Sequence, residues 1–417
     1  MATEAGIEAL NVPTPRSSFD DVLRMLPCWA EIDLDAVEAN VANLRRWLGP
    51  GTALAAVVKA QGYGTGACEV ACAALEAGAR WLAVARLHEG RELRESGIRA
   101  PILILTRTHP SRADEVVRLD LTATVENATL GQALGDAATR VGRRASIHVK
   151  VDTGLHRFGV QPQEALPLVR SLSEVDGLDI QAIYTHFASA DETDLSFTRE
   201  QLLCFLDVTR RVEGAGYRFP MRHAANSAGT LAVREAHLDL VRIGLALYGV
   251  SPSGEVPDGL HLRPSVSLRA RVARVAEIAE GEGVGYGQTW LAKRATRVAL
   301  VTAGYADGVS RRLSNTGAVL VNGNRCPIIG RVSMDQTTVD VTGCGPVKVG
   351  DVATFLGRDG NAEIDLHRFA SDADTIPHDI LTAIGARVPR AYIRDGRVSH
   401  IARLSGVTDV MGNGQRL

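Results

Sequence analysis

A chain of 417 residues, 45% hydrophobic and 23% charged, carries enough apolar material for sizeable cores and is too long for one ordinary compact domain. A formal net charge of -2, with no basic or acidic tract, argues against a nucleic-acid partner, and no apolar run is long enough to span a membrane. The six cysteines (Cys28, Cys68, Cys72, Cys204, Cys326, Cys344) show no metal-ligand spacing, so reduced thiols, no metal site and a cytoplasmic location are expected.

Residues 1–27 lack the basic start, apolar core and cleavage site of a signal peptide and read as a loose or partly helical extension. WAEIDL then alternates like a strand, and Leu34, Val37, Val41, Leu44 and Leu48 recur at helical spacing between an N-cap at Asp33 and a stop at Gly49. From residue 53, eight short apolar runs alternate with helical stretches: 53–58, 81–86, 101–106, 121–126, 146–152, 179–188, 219–226 and 238–244. Eight strand–helix units predict a TIM (β/α)8 barrel; a doubly wound open sheet is the alternative, weakened because no turn carries a complete GxGxxG.

The stretch 251–264 reads as a linker. Beyond it, short β runs, a hairpin signal at Asn322-Gly323 and a helix near DADTIPHDILTAIGA predict a mostly β second domain. The expected division is an extension over 1–27, a barrel domain over 28–262 (whose first strand, 29–34, is open to joining the second domain) and a β-rich domain over 263–417.

In a TIM barrel the chemistry sits at the C-terminal ends of the strands. Lys59, Arg86, Lys150, Asp152, His186, Asn226-Ser227 and Arg242 all fall there. For any one of them alone a rim salt bridge is the ordinary explanation. The turns HAANSAGTL and VRIGLALYG, after the seventh and eighth runs, suit a phosphate monoester through the Ser227 hydroxyl and the N–H groups of Ile243 and Gly244. Lys59, in AVVKAQGYGTGA, ends an apolar strand among small residues, a setting that lowers a lysine's pKa and suits a Schiff base with pyridoxal phosphate. Spacing alone does not name that cofactor.

Ten stretches in one order, among them WAEIDLDAVEANV, AVVKAQGYGTGA, HVKVDTGLHRFGV, HAANSAGTL, VRIGLALYGVSP, GVGYGQTW and GRVSMDQTTVDVT, make residues 28–395 resemble the alanine racemases, fold-type-III pyridoxal phosphate enzymes. The resemblance implies a barrel followed by a β domain, and roles for individual residues. Lys59 resembles the cofactor-bearing lysine and one catalytic base; Tyr286 resembles the second base. Tyr63, Ser227, Ile243, Gly244 and Tyr392 match phosphate-binding positions, Arg242 the partner of the pyridine nitrogen, and His186 a histidine beside the ring. Arg157 and the Met334 N–H match the holders of the substrate carboxylate, and Lys150 a lysine, sometimes a carbamate, that orients this arginine. Asp191, Tyr305, Arg311 and Arg331 match residues along the substrate entrance.

Gln61, Gly62 and Thr65 stand where asparagine, alanine and histidine are usual, Gly285 where serine is and Ser333 where cysteine is. None of these removes a reacting group. The expected activity is racemisation of alanine by two bases, supplying D-alanine for peptidoglycan, in a homodimer whose subunits complete each other's active sites. A racemase of serine, lysine or another amino acid, and a non-catalytic pyridoxal phosphate carrier, are the competing readings.

Overall fold

The computed structural model describes residues 19–254 and 256–404; residues 1–18 of the expected extension and 405–417 of the expected second domain lie outside these. The extension enters the described region as a helix, Phe19–Met25. Strand β1 (Cys28–Asp33) follows, and Asp33 caps the next helix, Leu34–Leu48, by accepting the Ala36 N–H at 2.8 Å. The 3.6-residue apolar period of that helix buries Leu34, Val37, Val41 and Leu44.

Eight parallel strands then form the barrel: β2 (Ala53–Val57), β3 (Trp81–Val84), β4 (Ile102–Ile104), β5 (Thr122–Val125), β6 (Ala145–Lys150), β7 (Leu178–Tyr184), β8 (Met221–His223) and β9 (Leu240–Ile243). Their order is β8-β7-β6-β5-β4-β3-β2-β9. The barrel closes between β8 and β9 by two backbone hydrogen bonds, Asp239 N–H to Arg222 O at 3.1 Å and Arg242 N–H to Ala225 O at 3.0 Å. Every residue of β4, β5 and β9 is buried, as parallel strands flanked by helices require. No helix among the described residues is long and apolar enough to cross a membrane.

Several strands end earlier than their apolar runs. The run 179–188 pairs only to Tyr184, and 219–226 only from Met221 to His223. Beyond those points the carbonyls of Thr185 and Ala224 accept from the Arg242 guanidinium, both at 2.9 Å. A side chain thus takes acceptors that a longer ladder would use, and it frees His186 and Asn226 to enter the barrel mouth.

The second sheet has ten strands: β1 with β10 (Val266–Ile278), β13 (Thr296–Val301), β14 (Ala318–Val321), β15 (Asn324–Pro327), β16 (Thr337–Asp340), β17 (Val352–Asp359), β18 (Ala362–Ile364), β19 (Arg390–Arg394) and β20 (Arg397–Ala402). A separate two-stranded ribbon joins β11 (Gly283–Val284) to β12 (Trp290–Leu291). Although it precedes the barrel in the chain, β1 lies inside the second sheet, antiparallel to β10 and parallel to β19. The barrel and the sheet are therefore stitched at both ends of the barrel segment. Asn40 adds a tie: its amide donates to Leu247 O and Arg263 O and accepts the Arg263 N–H at 2.7 Å. Two short helices follow in this domain: Leu366–Asp372 packs on β17, and Pro377–Ala383 packs on that helix and on the barrel turn after Lys59; only the second was read from the sequence.

Candidate active site

Lys59 follows β2 at the C-terminal rim of the barrel. The four residues after it, Ala60, Gln61, Gly62 and Tyr63, all take left-handed backbone angles, with φ between 53° and 61°. For the three that are not glycine this conformation costs about 1–2 kcal/mol each. Polar contacts hold the turn. Glu89 accepts the Ala60 N–H at 2.7 Å, and Gln61 donates to Glu92 at 2.7 Å. From the opposite side, fully buried Arg390 donates twice to Gly64 O, at 3.0 and 2.8 Å, and the Tyr392 hydroxyl donates to Thr65 O at 2.9 Å. The turn swings the Tyr63 ring back toward the barrel, 5.9 Å from the Lys59 Nζ.

Lys59 opens onto a cavity of about 290 Å³ lined by Tyr63, His186, Asn226, Ser227, Arg242, Gly244 and His378, with Arg157 and Asp191 at its edge. A second cavity of about 550 Å³ shares Lys59, Arg157 and His186 and adds Lys150, Phe158 and Tyr184. Ser227 Oγ accepts the Gly244 N–H at 2.8 Å. Gly244 has no room for a side chain, because a Cβ there would meet the Tyr63 hydroxyl at 2.4 Å.

Arg242 is the buried hub of the site. Besides its two carbonyls it bonds His223 Nδ1 at 2.6 Å and His186 Nδ1 at 3.2 Å, and His223 Nε2 reaches His148 Nδ1 at 3.1 Å. Burial lowers the Arg242 pKa to about 10. Burial, and then the Arg242 charge, push His148 down to about 3 and His186 and His223 well below the ordinary imidazole range, so all three are neutral. Burial, with Arg157 nearby, lowers the Lys59 pKa; burial, with Arg242 and Arg157, lowers that of Lys150 to about 8. Burial raises the Tyr63 hydroxyl to about 12, so it stays a donor.

Among the described residues, no carboxylate oxygen lies within ion-pair distance of Lys59, Lys150, Arg157 or Arg242. Cations left unpaired around cavities are built to receive anions. A desolvated lysine beside them holds its proton less tightly than a free one, which favours its use as a nucleophile or base.

Of the sequence-predicted residues, Lys59, Tyr63, Lys150, Arg157, His186, Asp191, Ser227, Arg242 and Gly244 come together here. Ile243 is fully buried as the last residue of β9. Tyr392, expected at the phosphate, does not line either cavity. Its hydroxyl is spent on Thr65 O behind the left-handed turn, and its ring stacks on His400 at 4.5 Å. Tyr248 packs on the Tyr63 ring at 5.1 Å, and His378, near the start of helix Pro377–Ala383, faces it at 5.8 Å from the cavity lining. Sequence reasoning missed His378, His223 and His148. The two strand histidines lay in the β6 and β8 runs and were legible as buried polar groups; a lone histidine after Pro377 carried no comparable signal.

Tyr286, Tyr305, Arg311, Arg331 and Met334 line neither cavity. All five sit on the second domain and are exposed, Tyr286 at 71% and Met334 at 52%. They form a second cluster of their own. Asn315 joins Thr289 at 3.2 Å and accepts the Gly330 N–H at 2.7 Å, Ser314 Oγ accepts the Val332 N–H at 3.0 Å, and Ala306 N–H donates to Met334 O at 3.0 Å.

Residues 32–252 match the model of the alanine racemase N-terminal domain, and residues 265–392 that of the alanine racemase C-terminal domain. An alanine racemase of Symbiobacterium thermophilum is 44% identical over 372 residues, 89% of this chain and 98% of that one. Among solved structures, an alanine racemase of Clostridium difficile 630 superposes with a TM-score of 0.87 at 33% identity, covering 91% of this chain and 99% of that one. The alanine racemase of Bartonella henselae, with covalently bound pyridoxal phosphate, gives 0.80 at 31% identity, covering 88% and 100%.

Proposed function

The chain belongs to the alanine racemase family, and from that premise we propose that it interconverts L- and D-alanine with pyridoxal phosphate held at Lys59. The observation that carries the reading is the set of unpaired cations, Lys59, Lys150, Arg157 and Arg242, gathered on two adjoining cavities. Those residues fit the cofactor. Of the residues lining the first cavity, Tyr63, Ser227 and His378 would hold a phosphate dianion, and the Arg242 guanidinium would face a heteroaromatic nitrogen. When bound, pyridoxal phosphate makes the α-proton of an amino acid removable by accepting the resulting charge into its ring.

The chain's own groups supply the rest. Lys59, lowered in pKa by burial, can be neutral and so attack a carbonyl carbon or take a proton from one face of Cα. Arg242 has no proton to give up at neutral pH, so it would donate a hydrogen bond to a ring nitrogen without protonating it. Arg157 holds the substrate carboxylate. Lys150, lowered to about 8, offers a neutral amine fraction able to take up CO2 as a carbamate, which would bring negative charge to Arg157.

Racemisation needs a second base on the opposite face, and Tyr286 is the candidate. It lines neither Lys59 cavity of its own chain and is highly exposed, on the same domain as Met334, Tyr305, Arg311 and Arg331. A two-fold homodimer that seats this cluster on the barrel mouth of the partner would complete both sites and cover those exposed side chains. Ile376, 59% exposed at the edge of the Lys59 cavity, offers apolar surface on the receiving side. The D-alanine formed is proposed to supply peptidoglycan.

The test is to measure racemisation of L- and D-alanine beside serine and lysine, and to reduce the cofactor-loaded protein with borohydride. Alanine should turn over fastest, and the pyridoxyl label should map to Lys59. A label on another lysine, or faster turnover of serine or lysine, would overturn the assignment.

A further inference from the structure

Two cysteines of the second domain have no part in the site. Cys326 lies on β15 opposite Val319 of β14, and Cys344 lies in the turn after β16, its N–H donating to Val341 O at 3.1 Å. Both are buried, 18 positions apart, with their sulfurs 2.6 Å from one another. That is closer than two unbonded sulfurs rest and within a small shift of bonding distance. No group of three or more His, Cys, Asp or Glu suited to a metal occurs among the described residues, so the pair is not part of a metal site. All six cysteines are free thiols in the structure, and among the described residues no other two sulfurs are in such contact.

We propose that Cys326 and Cys344 form a disulfide that closes the base of the loop carrying Arg331 and Met334. Between the two sulfurs the chain runs out and back, with Ile329 N–H on Thr338 O and Ser333 N–H on Gln336 O, both at 3.0 Å. The bridge would cross-link the stem of this hairpin. In the folded state both thiols are sheltered, so the bond forms while the hairpin is still open. The oxidant is a low-molecular-weight disulfide. One protein thiolate attacks it and expels a small thiol; the second protein thiolate then attacks the mixed disulfide and expels the other. Two protein S–H bonds and one external S–S bond are lost; one protein S–S bond and two external S–H bonds form. The protein is oxidised by two electrons and the small disulfide is reduced by two. Once the hairpin docks, burial shields the bond from reductants.

The full chain should be refolded with an oxidised small-molecule disulfide, alkylated under denaturing, non-reducing conditions and measured by intact mass and peptide mapping. Four of the six cysteines should be alkylated, with one linked peptide pair joining Cys326 to Cys344 that separates on reduction. The oxidised protein should melt about 5–10 °C above the same protein refolded with reductant, the stabilisation expected for closing a loop of this length. Alkylation at Cys326 and Cys344, or a bridge to a different cysteine, would overturn the proposal, as would identical melting of the bridged and reduced forms. These readouts need neither cofactor nor activity, so they stand or fall apart from the racemase reading.

Discussion

Tyr392→Phe separates two roles for one hydroxyl. In the structure that hydroxyl donates to Thr65 O at 2.9 Å, and both residues are fully buried. Removing it leaves a buried carbonyl without its donor, a cost of about 1–3 kcal/mol. At roughly 2–4 °C per kcal/mol for domains of this size, the cofactor-free protein should melt about 2–12 °C lower. The left-handed turn should survive, because Arg390 still holds Gly64 O with two N–H groups. Lys59 then stays in place, and the dissociation constant for pyridoxal phosphate should remain within about tenfold, or 1.4 kcal/mol, of wild type. A hydroxyl on the phosphate itself would behave in the opposite way: a charge-assisted bond worth about 1.5–3 kcal/mol would vanish from binding and leave the empty protein's melting untouched. The assay pairs thermal denaturation of the cofactor-free variant with a cofactor titration. Unchanged melting with a loss of affinity beyond tenfold would refute the reasoning.

His148, His186 and His223 have folded pKa values depressed below the unfolded one, so the unfolded chain binds protons that the native state refuses as the pH falls below about 6.5. Stability should therefore fall with decreasing pH, by about 1.4 kcal/mol per pH unit per histidine, and urea unfolding of His148→Gln between pH 6 and 5 should show a slope shallower by about that amount; an identical slope would contradict the buried-neutral reading. Lys150 obeys the same sign at higher pH, since it too is a cation that burial disfavours. Its folded pKa of about 8 lies below the unfolded value, so it costs stability at pH 7 and the cost is relieved as pH rises from 8 toward 10.5. Lys150→Met should stabilise the bicarbonate-free, cofactor-free protein at pH 7 by up to about 3 kcal/mol and abolish that rise, and urea unfolding at pH 7 and 10 checks it. Lys59→Ala and Tyr286→Phe should each be nearly inactive alone, yet co-refolding them should restore roughly a quarter of wild-type racemisation, because about half the dimers are mixed and each mixed dimer keeps one intact site. No recovery in demonstrated heterodimers would exclude a site shared between subunits.

The eight barrel strands were legible because hydrophobic period is local: each run reports the burial of its own faces, and β2 to β9 fall on the predicted runs, shortened at their ends. Lys59 was legible for the same reason, as a charge where an apolar run stops. What followed Lys59 was not. A sequence reading of KAQGYG gives a glycine-rich loop, since alanine, glutamine and tyrosine each disfavour left-handed angles. They adopt them here because Arg390 and Tyr392, more than 320 positions away, occupy the carbonyls at the end of the turn. His378 likewise reaches Tyr63 only once helix Pro377–Ala383 is packed against the barrel. The resemblance assigned Tyr392 to the cofactor by its place in a motif, but a motif records neighbours along the chain and not the direction in which a side chain leaves β19. Periodicity and charge are written residue by residue; a strained turn and the sulfur pair of Cys326 and Cys344 arise from partners that meet only after the long loops between them have closed.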